Sequence, residues 1–283
     1  MIDETVEQIE EMQTHSSSVV AVKAAEALQT LTERDYPTVD EYLRALERNS
    51  SALRRANPSH ASLYTTQRRI VQEVTEADPG DVETAKELTR SAVDAVVRDV
   101  ETAKEEAAAR AADLIVDHDV LFTHEYSSTV LDAIDRALAD GASFEVYVTE
   151  SRPRYIGRKA ARKLADRDGV DVTLIVDSAA GHYLPEADRV LVGMDCIVEG
   201  TLYNRVGTYP IAATAADVGV PVTVVGAAAK FAEGAFAFEN DFRSPTEVMR
   251  EPAEGFTVAN PAYDATPTRL LDSVVTDEGV TEY

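Results

Sequence analysis

The sequence predicts an α/β protein: an N-terminal helical domain followed by a Rossmann-like parallel-sheet domain. Three observations carry this. Apolar residues recur at three and four through the first hundred or so residues, nothing there alternates like a strand, and short apolar runs then alternate with helical segments.

The helical pattern runs from Glu4 to about Asp113, with Val19, Val22, Leu28 and Leu31 on one stripe. Pro37, Pro58 and Pro79-Gly80 punctuate it. The stretch Val82 to Leu114, rich in Ala, Glu, Lys and Arg, reads as one long helix. The predicted domains are residues 1–112 and 113–283. In the second, the runs are Val120-Leu121-Phe122, Phe144 to Val148, Val172 to Val176, Arg189 to Val192 and Val220 to Val225. Candidate helices lie between them at Ser128–Ala139, Gly157–Asp166 and Thr208–Val218. Apolar runs with little alternation suggest a sheet covered on both faces.

Of the 283 residues, 45% are hydrophobic, enough for a real core. The longest apolar runs are far too short to span a bilayer. No basic segment leads into an apolar one at the start, so a cytoplasmic protein is expected. There are 51 acidic and 27 basic residues, net −24. Such a chain repels nucleic-acid phosphates and anionic membranes. The acids are spread along the chain, which reads as the solvated surface of a protein from a high-salt cytosol; an acidic face for a basic partner is the alternative. Cys196 is the single cysteine, which excludes an internal disulfide and a Cys-based zinc site. Five histidines (His15, His60, His118, His124, His182) are scattered without metal-motif spacing, so neither a transition metal nor another cofactor is expected.

In open α/β sheets, ligands bind beyond the carboxyl ends of the strands. Thr123-His124-Glu125-Tyr126-Ser127 follows the first run and Thr149-Glu150-Ser151-Arg152-Pro153 the second. Asp177-Ser178 follows the third, Gly193-Met194-Asp195 the fourth, and Gly226, with Lys230 beyond, the fifth. This convergence of polar and charged groups suggests a polar ligand with an anionic part.

Glu150-Ser151-Arg152-Pro153 with Gly157 resembles an E-x-R-P-x-x-x-G element, and Val176 to Ala180 a V-D-S-A segment. Val192 to Asp195 resembles V-G-A-D, Asn204 to Thr208 resembles N-K-I-G-T, and Lys230-Phe231 a K-F pair. Asn260-Pro261, Asp264, Thr266-Pro267 and Thr276 to Gly279 match a closing motif. In this order, across about residues 120–280, they resemble the family that joins the alpha, beta and delta subunits of translation initiation factor 2B to ribose-1,5-bisphosphate and methylthioribose-1-phosphate isomerases. The helical half matches in outline, with Met12 to Leu28 aligned with a ligand-bearing helix.

The resemblance implies two kinds of member. The isomerases move protons with a Cys in T-H-C and an Asp in G-A-D, an acid and a base on either side of a sugar. The initiation-factor subunits keep the fold without the chemistry. Here Asp195 is kept, but Thr123-His124 is followed by Glu125, then Tyr126-Ser127, the form of the alpha subunit. The isomerases' R-G phosphate pair is His15-Ser16, a second phosphate-binding Arg is Asn57, and the Gln of R-P-x-x-Q-G is Ile156. At roughly 1.5–3 kcal/mol per Arg–phosphate contact, two lost arginines weaken bisphosphate binding by about two to four decades. The first reading is therefore a non-catalytic regulatory protein, similar to initiation factor 2B. It would bind a sugar phosphate or nucleoside monophosphate and a protein partner, with an initiation factor in view.

The second reading is a ribose-1,5-bisphosphate-type aldose–ketose isomerase, with Asp195 and Glu125 catalytic. The neighbourhood Phe242 to Val248 resembles the bisphosphate isomerases more than the eukaryotic subunits. The third is a structural member acting by assembly. The ligand contacts implied are Arg152, Asn204, Arg205, Lys230, Ser127 and His124, and association into at least a homodimer follows from the same resemblance. Cys196 stands where the family has a small residue, and so reads as core.

Overall fold

A computed structural model describes residues 2–10, 17–232, 236, 238–251 and 253–283. The chain divides into two compact units, residues 1–103 with 234–237, and residues 104–233 with 238–283.

The first unit is helical: α1 (Ile2–Glu10), α2 (Ser17–Gln29), α3 (Val39–Ala56), α4 (Ala61–Glu76) and most of α5 (Val82–Ala112). Thr38 caps α3 by accepting from the Glu41 amide at 3.3 Å, the first half of a T-x-x-E capping box. The small residues Ala21, Ala24 and Ala25 let one face of α2 be fully buried, and Leu28, Leu31, Leu46, Leu53, Leu63 and Ile70 fill the core around it. Tyr42 crosses this core and donates to Thr89 Oγ1 at 2.7 Å. No described helix is long and apolar enough to cross a membrane.

The second unit alternates strands and helices. β1 (Val120–Thr123), α6 (Ser128–Ala139), β2 (Phe144–Thr149), α7 (Gly157–Ala165) and β3 (Val170–Ile175) come first. A short α8 (Ala180–Tyr183) precedes β4 (Arg189–Gly193), then β5 (Cys196–Val198), β6 (Thr201–Arg205), α9 (Thr208–Val218) and β7 (Val222–Val225). β8 (Tyr263–Pro267), β9 (Ser273–Thr276) and β10 (Gly279–Glu282) close the chain. The main sheet has the order β10-β9-β7-β4-β1-β2-β3, parallel except for β10. β5, β6 and β8 form a separate antiparallel sheet.

The helical first half and parallel-sheet second half are those the sequence predicts. Coverage on both faces holds for the central strands: Leu121, Phe122, Val190, Leu191 and Val224 are fully buried. It fails at β3, an edge strand whose Leu174 stays 45% exposed. The antiparallel trio and the β9–β10 hairpin are additions. Their strands are short and mixed, so no continuous apolar run marks them.

Candidate functional site

The chain leaves β1 toward β2 and β3 on one side, and β4 toward β7 and β9 on the other. The point between β1 and β4 is thus the topological switch point, where loops from adjacent strand ends diverge and leave a crevice. His124 and Glu125 follow β1, and Met194 and Asp195 follow β4. Arg205 ends β6, and Lys230 ends the single 3-10 turn Ala228–Lys230 beyond β7.

These loops place two carboxylates and two cations together. Arg205 Nε lies 4.0 Å from Glu125 Oε2 and 3.9 Å from Asp195 Oδ2. All three side chains are buried. The Lys230 ammonium, also buried, donates to the Met194 carbonyl at 2.7 Å. β6 pairs with β8 so that Arg205 stands opposite Tyr263, and its guanidinium lies 4.8 Å from the centre of that ring. Phe238 packs edge-on to Tyr263 and stacks on Tyr203 at 3.8 Å, giving the cation an aromatic floor.

Burial decides the electrostatics. Desolvation raises Glu125 from the ordinary carboxylate range to about 7; Arg205 opposes the rise and Asp195 adds to it. Desolvation also lowers Lys230, against the pull of Asp195 and Glu125. Burial works against the charge on Arg205, but Tyr263, Asp195, Glu125 and Asp241 more than offset it, so the guanidinium stays charged. Near neutral pH, Glu125 therefore exchanges a proton readily beside a fixed cation, the property a general acid–base group needs.

The surrounding residues hold this arrangement. Glu125 and Ser151 sit at φ 66° and 58°, sparsely populated for such residues. The Glu125 amide donates to Ser151 Oγ at 2.8 Å. The amides of Ser151 and Arg152 donate to the two oxygens of Asp177 at 2.7 and 2.6 Å. The loops after β1, β2 and β3 are thus tied in series. His124 Nε2 donates to the Val206 carbonyl at 3.0 Å, so in the neutral ring Nδ1 accepts from Thr149 Oγ1 at 2.6 Å. Burial lowers the His124 pKa and keeps that neutral tautomer. Gly207, at φ 112°, has no room for a side chain: a Cβ there would fall 2.6 Å from the His124 ring.

Of the ligand and catalytic residues that the sequence singles out, the structure brings Glu125, Asp195, Arg205 and Lys230 together. Ser127 accepts from the Val130 amide at the start of α6 and packs against Gly193. Asn204 Nδ2 donates to Thr208 Oγ1 at 3.0 Å. Arg152 leans on the Tyr155 ring, 5.0 Å from its centre. Cys196 is fully buried, and burial, then Asp195, pushes its thiol far up. Among the departures from the isomerase pattern, Asn57 is buried and accepts from the Ser59 amide. Ile156 is buried at the start of α7, and His15-Ser16 lies outside the described residues.

Sequence reasoning missed Tyr263. Its only signal was its place between Asn260-Pro261 and Asp264 in the closing motif. Asp264 itself receives the amides of Gly207 and Tyr209 at 2.7 and 3.0 Å, and so fixes the start of α9.

Comparison with known proteins adds the last observation. The model of the initiation factor 2 subunit family matches residues 13–283. The chain belongs to that family. A protein of Haloterrigena turkmenica named ribose 1,5-bisphosphate isomerase is 34% identical, over 97% of this chain and 88% of its own length. A putative translation initiation factor eIF-2B subunit 2-like protein of Pyrococcus furiosus is 30% identical, over 98% and 96%. The crystal structure of a translation initiation factor eIF-2B from Pyrococcus horikoshii OT3 superposes with a TM-score of 0.84 at 28% identity, covering 99% of this chain and 96% of that one.

These relatives correct the first reading of the sequence. Five further archaeal members of the family, 30–32% identical, are also named ribose 1,5-bisphosphate isomerase. Their similarity spans nearly the whole chain, which supports the isomerase reading over the non-catalytic regulatory one. The Cys-to-Glu exchange weighed too heavily in the sequence, because the effect of burial on Glu125 is invisible there.

Proposed function

We propose that this protein is an intramolecular aldose–ketose isomerase acting on a ribose phosphate of the ribose 1,5-bisphosphate type. The observation that carries it is the buried pair Glu125 and Asp195 flanking one guanidinium at the switch point, with Glu125 poised near neutral pH.

The reaction moves hydrogen between adjacent carbons of an opening sugar ring. Asp195, as the general acid, delivers a proton to the ring oxygen as the bond from that oxygen to C1 breaks. Ionised Glu125 takes the proton from C2, and the C–H electron pair forms the C1=C2 double bond of an enol phosphate. Glu125 then returns its proton to C1 while the C2 hydroxyl proton passes to Asp195, leaving the ketone at C2 and both acids as they began. Arg205 and Lys230 stabilise the negative charge that develops on oxygen.

The test is an assay in molar salt with ribose 1,5-bisphosphate, following the ketose by NMR. Wild-type turnover is expected, with a fall of about 10²–10⁴ in kcat for both Glu125→Gln and Asp195→Asn. The rising limb of kcat/KM should climb about tenfold per pH unit below about 7, as Glu125 ionises. Absence of turnover in a folded wild-type protein overturns the reading. The assembly proposed with it is at least a dimer, and a monomer by light scattering in molar salt sinks that part.

A further inference from the structure

The hydroxyl of Tyr263 is buried, and among the described residues it has no hydrogen-bond partner. The ring itself is well held. It stands opposite Arg205 in the pairing of β6 with β8, carries that guanidinium 4.8 Å from its centre, and meets Phe238 edge-on at 5.4 Å. A phenylalanine would make every one of these contacts. The oxygen adds nothing to the packing and gives up its bonds to water, which costs stability unless something replaces them.

The place of this hydroxyl is chemically pointed. Burial raises the pKa of the phenol; Arg205 opposes the rise, and Asp195, Asp241 and Glu125 add to it. The group is therefore a neutral hydroxyl within the field of the whole charged cluster. A neutral hydroxyl both donates and accepts. Its charged neighbours do one or the other: the Arg205 guanidinium and the Lys230 ammonium donate, and an ionised carboxylate accepts.

We infer that the Tyr263 hydroxyl is a specificity-determining contact to the substrate, and that its partner is the C3 hydroxyl of the sugar. The inference rests on the isomerase reading above. In the ring form of ribose 1,5-bisphosphate, C1 and C5 carry the phosphates, and C4 is tied to C1 through the ring oxygen. The C2 hydroxyl becomes the ketone. The C3 hydroxyl is the one free alcohol outside the proton transfers. In a site without water it needs a partner that neither takes nor gives up a proton, and a neutral phenol is such a partner. On binding, each hydroxyl satisfies the other. A sugar without the C3 hydroxyl leaves the phenol unmet, and the site discriminates against it for that reason.

Tyr263→Phe tests this in two arms. The first needs no ligand. In urea unfolding in molar salt, the variant should be as stable as wild type or more so, because it removes a hydroxyl without a partner. A clear loss of stability means that the protein, or a water held within it, already satisfies the oxygen, and overturns the inference. The second arm measures, by calorimetry, the binding of ribulose 1,5-bisphosphate and of its 3-deoxy analogue. Wild type should prefer the first by about tenfold or more, and the variant should bind the two within about twofold of each other. In the assay, kcat/KM for ribose 1,5-bisphosphate should fall about tenfold or more in the variant. The rising pH limb should stay where it is in wild type, since Tyr263 carries no proton. A limb that moves overturns the assignment of Tyr263 as a contact alone. A preference for the 3-hydroxyl that survives in the variant, or is missing in wild type, overturns the contact, and turnover by wild type then leaves the isomerase reading in place. A preference lost in the variant, with no turnover in any protein, overturns the isomerase reading and leaves the contact standing.

Discussion

Two arginines of this chain each face two carboxylates, with opposite consequences. Arg69, on the surface of the helical unit, holds Glu73 at 2.7 Å and Asp99 at 2.6 Å. Arg205, in the α/β unit, faces Glu125 and Asp195 only at 4.0 and 3.9 Å. By distance the first cluster is the stronger. By exposure it is not: the Arg69 group is 43–59% exposed, while the Arg205 group is 8–10% exposed. Water screens the first and leaves it about 0.2–1 kcal/mol per pair. The second has lost its water, and every charge in it depends on the others. Desolvation, more than separation, turns acidic and basic side chains into chemistry.

The most damaging way to break this contrast is Arg205→Met. It leaves two buried carboxylates without their shared cation, and should destabilise the fold by about 3–5 kcal/mol at pH 7. The loss should shrink as pH falls and the carboxylates take up protons. Urea unfolding at pH 5 and pH 7 measures both parts; an equal loss at the two values would show that packing, not charge, was removed.

Glu125→Gln should act in the other direction. The folded-state pKa of Glu125 lies above its unfolded value, so the stability this side chain gives is complete below about 4.5. It is lost as pH rises through about 7. The shift corresponds to about 3 kcal/mol at most. The Gln variant should escape that loss, with a flatter stability profile between those pH values and a gain over wild type above them. Matching profiles would mean that Glu125 is not desolvated as its position implies.

A smaller effect follows from Gly193, where an added Cβ would fall 2.6 Å from Ser127 Oγ and 3.4 Å from Glu125 Oε1. Gly193→Ala should cost about 1–3 kcal/mol by overpacking, and should lower turnover by shifting Glu125. Unchanged turnover would show that this tight contact does not set the carboxylate's position. Smallest of all, Arg69→Ala, which removes both pairs, should change stability by less than about 2 kcal/mol, less still in molar salt. A larger loss would contradict the reading of that cluster as screened.

Much of the architecture is legible in the residues. Hydrophobic period separates the helical part from the strand-rich part, and the apolar runs locate β1, β2, β3, β4 and β7. β5, β6, β8 and the β9–β10 hairpin are not legible in this way, because short antiparallel strands with one open face carry no continuous apolar signal. At the site, strand ends and motifs point to Glu125, Asp195, Arg205 and Lys230. Tyr263 escapes, because nothing local says that β6 and β8, far apart in the chain, pair and set its ring against Arg205.

The sequence by itself determined which groups exist and the order of elements that carries them to the ends of a parallel sheet. Only the tertiary structure decided what they are chemically. Whether Glu125 is an ordinary carboxylate or a proton carrier near neutrality depends on the water excluded around it, and that exclusion is made by residues from β1, β4, β6 and β8 closing together.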